Sequence, residues 1–185
     1  MFLHGCTGAT IAAFPSMFGQ VNRYDLTAAI CIVGIISTSA PFAAATTRPT
    51  PASKVLADVV RLTNAERAIH KRSRLRTNAR LMRAAQIQAD QMARAGQQAH
   101  VLPGAPYPNA EDRLAAAGYD WQSYGENLAF GQRNSAEAVR SWMHSRGHRA
   151  NIISPAFTEL GVGYAVDRAG RPYYVQVFAN PLSSS

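Results

Sequence analysis

Glu126, His100 and His148 are the residues whose types could do chemistry together. Glu126 stands in GENLAFG (125–131), Trp142 and His148 stand in SWMHSRGHRANI (141–152), and His100 lies a short way upstream. A carboxylate and two imidazoles suit a metal site or general acid–base work. Their separation along the chain means that only a fold can assemble them. The plainer alternatives are a hydrogen-bonded His–Glu cluster that closes loops over the core, or Glu126 accepting backbone N–H bonds within its own loop.

Two further chemistries have weaker support. His144 and His148 have the i,i+4 spacing of the outer residues of HExxH, but Ser145 occupies the place of the catalytic glutamate and Gly147 falls where the helix should end. A metalloprotease through this pair is therefore disfavoured. Ser145, His148 and Glu126 also form a nucleophile–base–orienter set in kind. No nucleophile elbow surrounds Ser145, which reads more simply as a local cap near a helix end. His4 and His70 carry no comparable signal.

The elements that must position these residues are readable as patterns. A helix capped by Ser53 is predicted to run to about Lys71, with Val55, Leu56, Val59, Val60 and Leu62 as its apolar face. A second, alanine-rich helix is predicted over 78–95, capped by Asn78 and ended by Gly96. The Pro/Gly content of 101–108 demands a loop, and a short helix follows over Asn109–Ala117, stopping at Gly118. Asn134 and Glu137 have capping-box spacing for a further helix, with Ala138, Val139, Trp142 and Met143 buried and Gly147 as terminator. Leu160, Val162, Tyr164 and Val166 alternate, as do Tyr173, Val175 and Val177, around a turn at Asp167–Gly170. That is an antiparallel hairpin. Gly161 and Gly163 read as points of close backbone approach. Trp121, Tyr124 and Phe130 flank the GEN loop and either join the core or line an apolar groove beside the cleft.

The first 50 residues differ in character. Leu26–Ser39 is apolar and uncharged, Arg23 precedes it, and Ala43-Ala44-Ala45 supplies the small residues of a signal-peptidase site. Residues 1–45 are thus expected to be an export signal, 46–54 a Pro/Thr linker, 55–181 one domain and 182–185 a tail. Met17 offers a second start, with a leader of about 29 residues. With its flanks the apolar run approaches spanning length, so an uncleaved anchor is the alternative. Both cysteines, Cys6 and Cys31, fall in this leader, so the exported chain would stand without disulfides or thiolate ligands. About 140 residues suffice for a core without such staples.

The formal charge is +8, and loss of residues 1–45 removes only Arg23 and Asp25. Eight basic residues lie between Arg61 and Arg83, opposed only by Glu66. No aromatic residue is interleaved, so a nucleic-acid stripe is not expected, whereas attraction to anionic lipid or wall polymer is. A solvated helix face is the plain alternative.

Taken in order, Asn64 and Arg67, the alanine-rich helix, His100, Gly118-Tyr119, GENLAFG, SWMHSRGHRANI, FTELGVGYA and YYVQVFA resemble the CAP superfamily, also called SCP domains. Cysteine-rich secretory proteins, antigen 5 and pathogenesis-related proteins are members, and the Trp-Met-x-Ser-x-Gly-His-Arg-x-Asn-Ile form is similar to the bacterial branch. The resemblance covers about Val55–Asn180. It implies an α+β fold, an α-β-α sandwich with a central antiparallel sheet, and a cleft of His100, Glu126 and His148. In many eukaryotic members a second glutamate stands three residues after the motif tryptophan. Here that place is Ser145, so the cleft set becomes His100, Glu126, Ser145 and His148 with a reduced acidic component. Within such a cleft His100 and His148 would share a divalent cation such as zinc, with Glu126 as third ligand or as the acceptor orienting a histidine. The function so implied is an exported module binding a lipid, sterol-like molecule or envelope component. The alternatives are a metal-assisted hydrolase, peptidase or esterase, in the same cleft, or a structural domain with a vestigial cleft.

Overall fold

Alternation along β4 (Pro172–Pro181) divides the core into two layers. Tyr173, Val175, Val177 and Ala179 join one apolar cluster, and Tyr174 and Phe178 join the other, as the two-residue period of a strand requires. A computed structural model describes residues 51–182. The expected export signal, both cysteines and the 46–50 part of the expected linker lie outside the described residues.

The described chain runs α1 (Pro51–Ile69), β1 (Arg76–Thr77), α2 (Ala79–Ala95), α3 (Ala110–Ala116), β2 (Trp121–Phe130), α4 (Ser135–His144), α5 (Arg146–Ile153), β3 (Glu159–Val166) and β4. Its sheet has the order β1-β3-β4-β2, with β3–β4 and β4–β2 antiparallel and the two-residue β1 parallel to β3. Helices α2 and α3 supply one covering layer, and α1, α4 and α5 supply the other. This is the expected α-β-α sandwich.

Short-range signals predicted several boundaries. Asn78 Oδ1 accepts from the N–H groups of Arg80 and Leu81, and Gly96 ends α2 at φ +65°. Asn109 caps α3 through Asp112 N, and Asn134 caps α4 through Glu137 N. Helix α1 differs, since it begins at Pro51 and places Ser53 inside the helix rather than at its cap. Pro51 suits a first helical turn because the amide hydrogen it lacks has no intrahelical partner there.

Two larger corrections bear on the site. GENLAFG, expected as a loop, forms most of strand β2 and pairs with β4 from Gly125↔Phe178 to Phe130↔Tyr173. The helix expected to continue to Gly147 ends at His144. Ser145 is extended (φ −93°, ψ 121°), and Gly147 belongs to the separate helix α5. Ser145 caps neither helix through its side chain.

Gly161 and Gly163 lie on the β3 face covered by α2. A Cβ at Gly161 would overlap the Leu81 carbonyl, and one at Gly163 the Ala85 carbonyl. Backbone therefore packs directly on backbone, which explains why this helix is rich in alanine.

Candidate functional site

Strand β2 is a sheet edge, and its alternation sends neighbouring polar residues in opposite directions. Tyr124, Leu128 and Phe130 pack with the α2–α3 layer, while Ala129 packs with the α1–α4–α5 layer. Glu126 belongs to the first face and Asn127 to the second. The site is built around this edge.

On the first face the Glu126 carboxylate is nearly buried, with a side-chain exposure of 5%. His100 Nδ1–H donates to its Oε1 at 2.9 Å, and Arg113 Nη2 donates to its Oε2 at 2.8 Å. Arg113 comes from α3 and is itself buried. Its remaining contacts reach the carbonyls of His100, Tyr107 and Pro108, each at 3.3 Å. The loop bearing His100 is anchored from α2, where Gln88 Nε2 donates to Ala99 O and Gln91 exchanges two hydrogen bonds with Tyr107. Nothing in the sequence marked Arg113, Gln88 or Gln91 as part of a site.

On the second face Asn127 Nδ2 donates to the His148 carbonyl at 3.0 Å, and Asn151 Nδ2 donates to Asn127 Oδ1 at 2.9 Å. The chain continues inward as Asn127 to Gln176, Gln176 to Thr63 and Thr63 to Val59 O. The asparagines of GEN and of HRAN therefore hold α5 against β2, a role the motifs could have suggested. Trp142 is core, as expected, and its Nε1–H donates to Leu128 O.

The expected site residues are thus only partly brought together. His100 and Glu126 are in contact. His148, on α5, makes no ring hydrogen bond to Glu126 or Ser145, so the nucleophilic set is not assembled among the described residues. The His144–His148 spacing is interrupted at Ser145, and His144 Nδ1–H donates to Arg140 O instead. Trp121 remains partly exposed and meets Tyr124 edge-on, while Phe130 packs on Tyr173. The Tyr124 hydroxyl donates to Glu111, and burial followed by that bond pushes the phenol up to about 12.

No group of three His, Cys, Asp or Glu side chains among the described residues is arranged to hold a metal ion. Both Glu126 oxygens are engaged, one of them by a guanidinium, so Glu126 as a third ligand does not fit. Glu126 as the acceptor that fixes the His100 ring does fit. This leaves His100 Nε2 and the His148 imidazole as the donors available to an ion.

Comparison with known proteins settles the relationship. A family model described as CAP, the cysteine-rich secretory protein family, matches residues 60–178. This chain belongs to the CAP family. The uncharacterized protein YkwD of Bacillus subtilis (strain 168) is 36% identical to it over 121 residues, covering 64% of this chain and 46% of YkwD. An extracellular protein containing a SCP domain from Bacillus anthracis str. Ames superposes with a TM-score of 0.64 at 26% identity, covering 70% of this chain and 41% of that one. An outer surface protein from Borrelia burgdorferi gives a TM-score of 0.64 at 16% identity, covering 70% and 94% of the two chains, and shows the shared fold alone. This CAP chain therefore spans less than half the length of YkwD and of the B. anthracis chain.

In this CAP domain the pKa values of His100 and His148 are shifted in opposite directions. The Glu126 hydrogen bond raises the His100 pKa above its usual 6.5, although burial opposes it. Burial, then repulsion from His100, lowers that of His148. Followed by NMR, His100 is expected to titrate above pH 6.5 and His148 below it, with Glu126→Gln bringing His100 back down. For stability, the His100 contribution is full below 6.5 and disappears as pH rises through its folded pKa. His148 acts oppositely, because stability falls as pH drops from 6.5 through its lowered pKa. Coincident titration of the two rings would contradict the geometry.

Proposed function

We propose that this chain is an exported CAP-domain binding module whose His100–Glu126–Ser145–His148 cleft recognises a lipid, sterol-like molecule or other envelope component. The observation that carries the reading is the double commitment of Glu126 to His100 and Arg113. A carboxylate neutralised by a buried guanidinium makes a firm positioning group and a poor general base, which weighs against hydrolysis in this cleft. Export is supported by the leader-like Leu26–Ser39 run and by the similarity to the B. anthracis protein described as extracellular. No helix among the described residues is long and apolar enough to cross a membrane. Apart from that cleft, a groove of about 730 Å³ between α1 and α2, where Leu56, Ala57, Val60 and Met82 meet Arg61 and Arg74, offers a lipid a second place on the domain. An apolar floor beside guanidinium groups suits an anionic amphiphile.

A divalent cation such as zinc would join His100 and His148, with Glu126 holding the His100 ring. Calorimetric titration of the full chain with zinc is expected to give heat that His100→Ala and His148→Ala abolish. Loss of the orienting acceptor in Glu126→Gln should weaken the affinity about 10–100-fold. Equal heats from all four proteins would remove the ion from the reading. Ester or peptide hydrolysis by the wild type that Glu126→Gln abolishes would favour the hydrolase instead.

A further inference from the structure

The basic stretch 61–83 does not form one uniform face. Arg61 pairs with Asp58 at 3.3 Å, while Arg80 and Arg83 are exposed on α2. Arg67, Lys71, Arg72, Arg74 and Arg76 instead line a single cavity of about 400 Å³, closed by Ser73, Pro155, Phe157 and Thr158. No acidic side chain lines it. Glu159, one residue beyond, reaches Arg76 at 3.5 Å, but its other oxygen is taken by Asn78 and Tyr119. Among the described residues Lys71, Arg72 and Arg74 have no carboxylate partner.

The cavity is backed by a buried cation. Arg67 is 1% exposed, and its guanidinium donates only to carbonyls, those of Ser73, Ile152, Ser154 and Phe157. Burial, followed by repulsion from Arg72, lowers its pKa, yet an arginine stays charged. A full positive charge is thus held without a counter-ion from the described chain.

The walls are also set in advance. Arg67 ties the α1–β1 connection to the α5–β3 connection, Asn64 exchanges two hydrogen bonds with Leu75, and Arg76 N donates to Thr158 O. Lys71 reverses the chain after α1 at φ +55°, a conformation usually left to glycine or asparagine. A pre-organised cavity loses little entropy on filling.

We propose that this cavity binds a phosphate group, as a monoester, a diester or the free ion. Several guanidinium forks on one cavity match the many acceptor oxygens of a tetrahedral anion, whereas a lone carboxylate needs only one fork. Lys71, Arg72, Arg74 and Arg76 are exposed around the buried Arg67 and Phe157, so an anion can reach them from solvent. Arg74 also lines the apolar groove between α1 and α2, so a phospholipid headgroup and free phosphate share this chemistry. The site is independent of the His100–Glu126 cleft.

The test compares the full chain with two triple variants that each remove three charges: Arg72→Gln/Arg74→Gln/Arg76→Gln in the cavity and Arg80→Gln/Arg83→Gln/Arg94→Gln on α2. One arm titrates sodium phosphate at constant ionic strength and follows the thermal midpoint. The other follows sedimentation with vesicles of phosphatidylcholine with or without phosphatidylglycerol. Wild type and the α2 variant are expected to respond alike, and the cavity variant to lose at least tenfold in affinity. A cavity-dependent response to vesicles assigns the headgroup, and one to phosphate alone assigns the free ion. If neither arm separates the cavity variant from the α2 variant, the charge acts only in bulk and the site does not exist.

Discussion

Arg113→Met is expected to lower the unfolding free energy by about 3–5 kcal/mol, because it leaves the Glu126 carboxylate buried without its guanidinium. Both partners are almost fully covered, with side-chain exposures of 1% and 5%, so water cannot replace the lost contact. The same substitution removes the guanidinium bonds to the carbonyls of His100, Tyr107 and Pro108, leaving the loop that carries His100 held by Gln88 and Gln91 alone on the α2 side. The double variant Arg113→Met/Glu126→Gln should recover much of the loss, since removing both charges removes the unpaired ion. Urea unfolding of wild type, both single variants and the double variant, with unchanged denaturant slopes, measures this directly. A loss under about 1 kcal/mol in Arg113→Met would mean that solvent reaches the pair, contrary to its burial.

Gly163→Ala should cost about 3 kcal/mol or more, the upper part of the range for an overpacked core. Its added methyl group would meet the Ala85 carbonyl and the Gln86 amide, which are backbone and cannot rotate away as a side chain would. Gly161→Ala faces the same obstacle at Leu81 and Met82. Gly147→Ala is the matched control. Its new methyl meets nothing within 4 Å, and a helical alanine there should stabilise by about 0.5–1 kcal/mol. Chemical unfolding midpoints of the three variants check the contrast. Equal, small losses at Gly161 and Gly163 would mean that α2 does not seat directly on β3.

The outcome at individual residues shows which signals the chain carried openly. Asn78, Asn109 and Asn134 act on amides two or three residues away, so their helix starts were readable locally. The β3–β4 hairpin was readable because its alternation is apolar and its turn short. Strand β2 was not, since Gly125, Glu126 and Asn127 interrupt any apolar pattern with polar groups that are buried on both faces. The alternation of Tyr124, Leu128 and Phe130 was the available signal, and Glu126 broke it. The turn at Ser145 was hidden for a related reason. Residues on both sides favour helix, and the extended residue between them has no side-chain cap to announce it.

By itself the sequence determined the CAP family and the layered α+β fold, and it singled out His100 and Glu126, which the fold brings into contact. These follow from motifs in a fixed order and from hydrogen bonds made over a few residues. Only the tertiary structure decided that Glu126 is shared between His100 and Arg113, that Asn127 holds the His148 backbone from the other face of β2, and that five basic residues line one cavity. Each of these depends on contacts between distant parts of the chain, where strand alternation and helix seating choose the facing partners. Residue type alone contains no information about that choice.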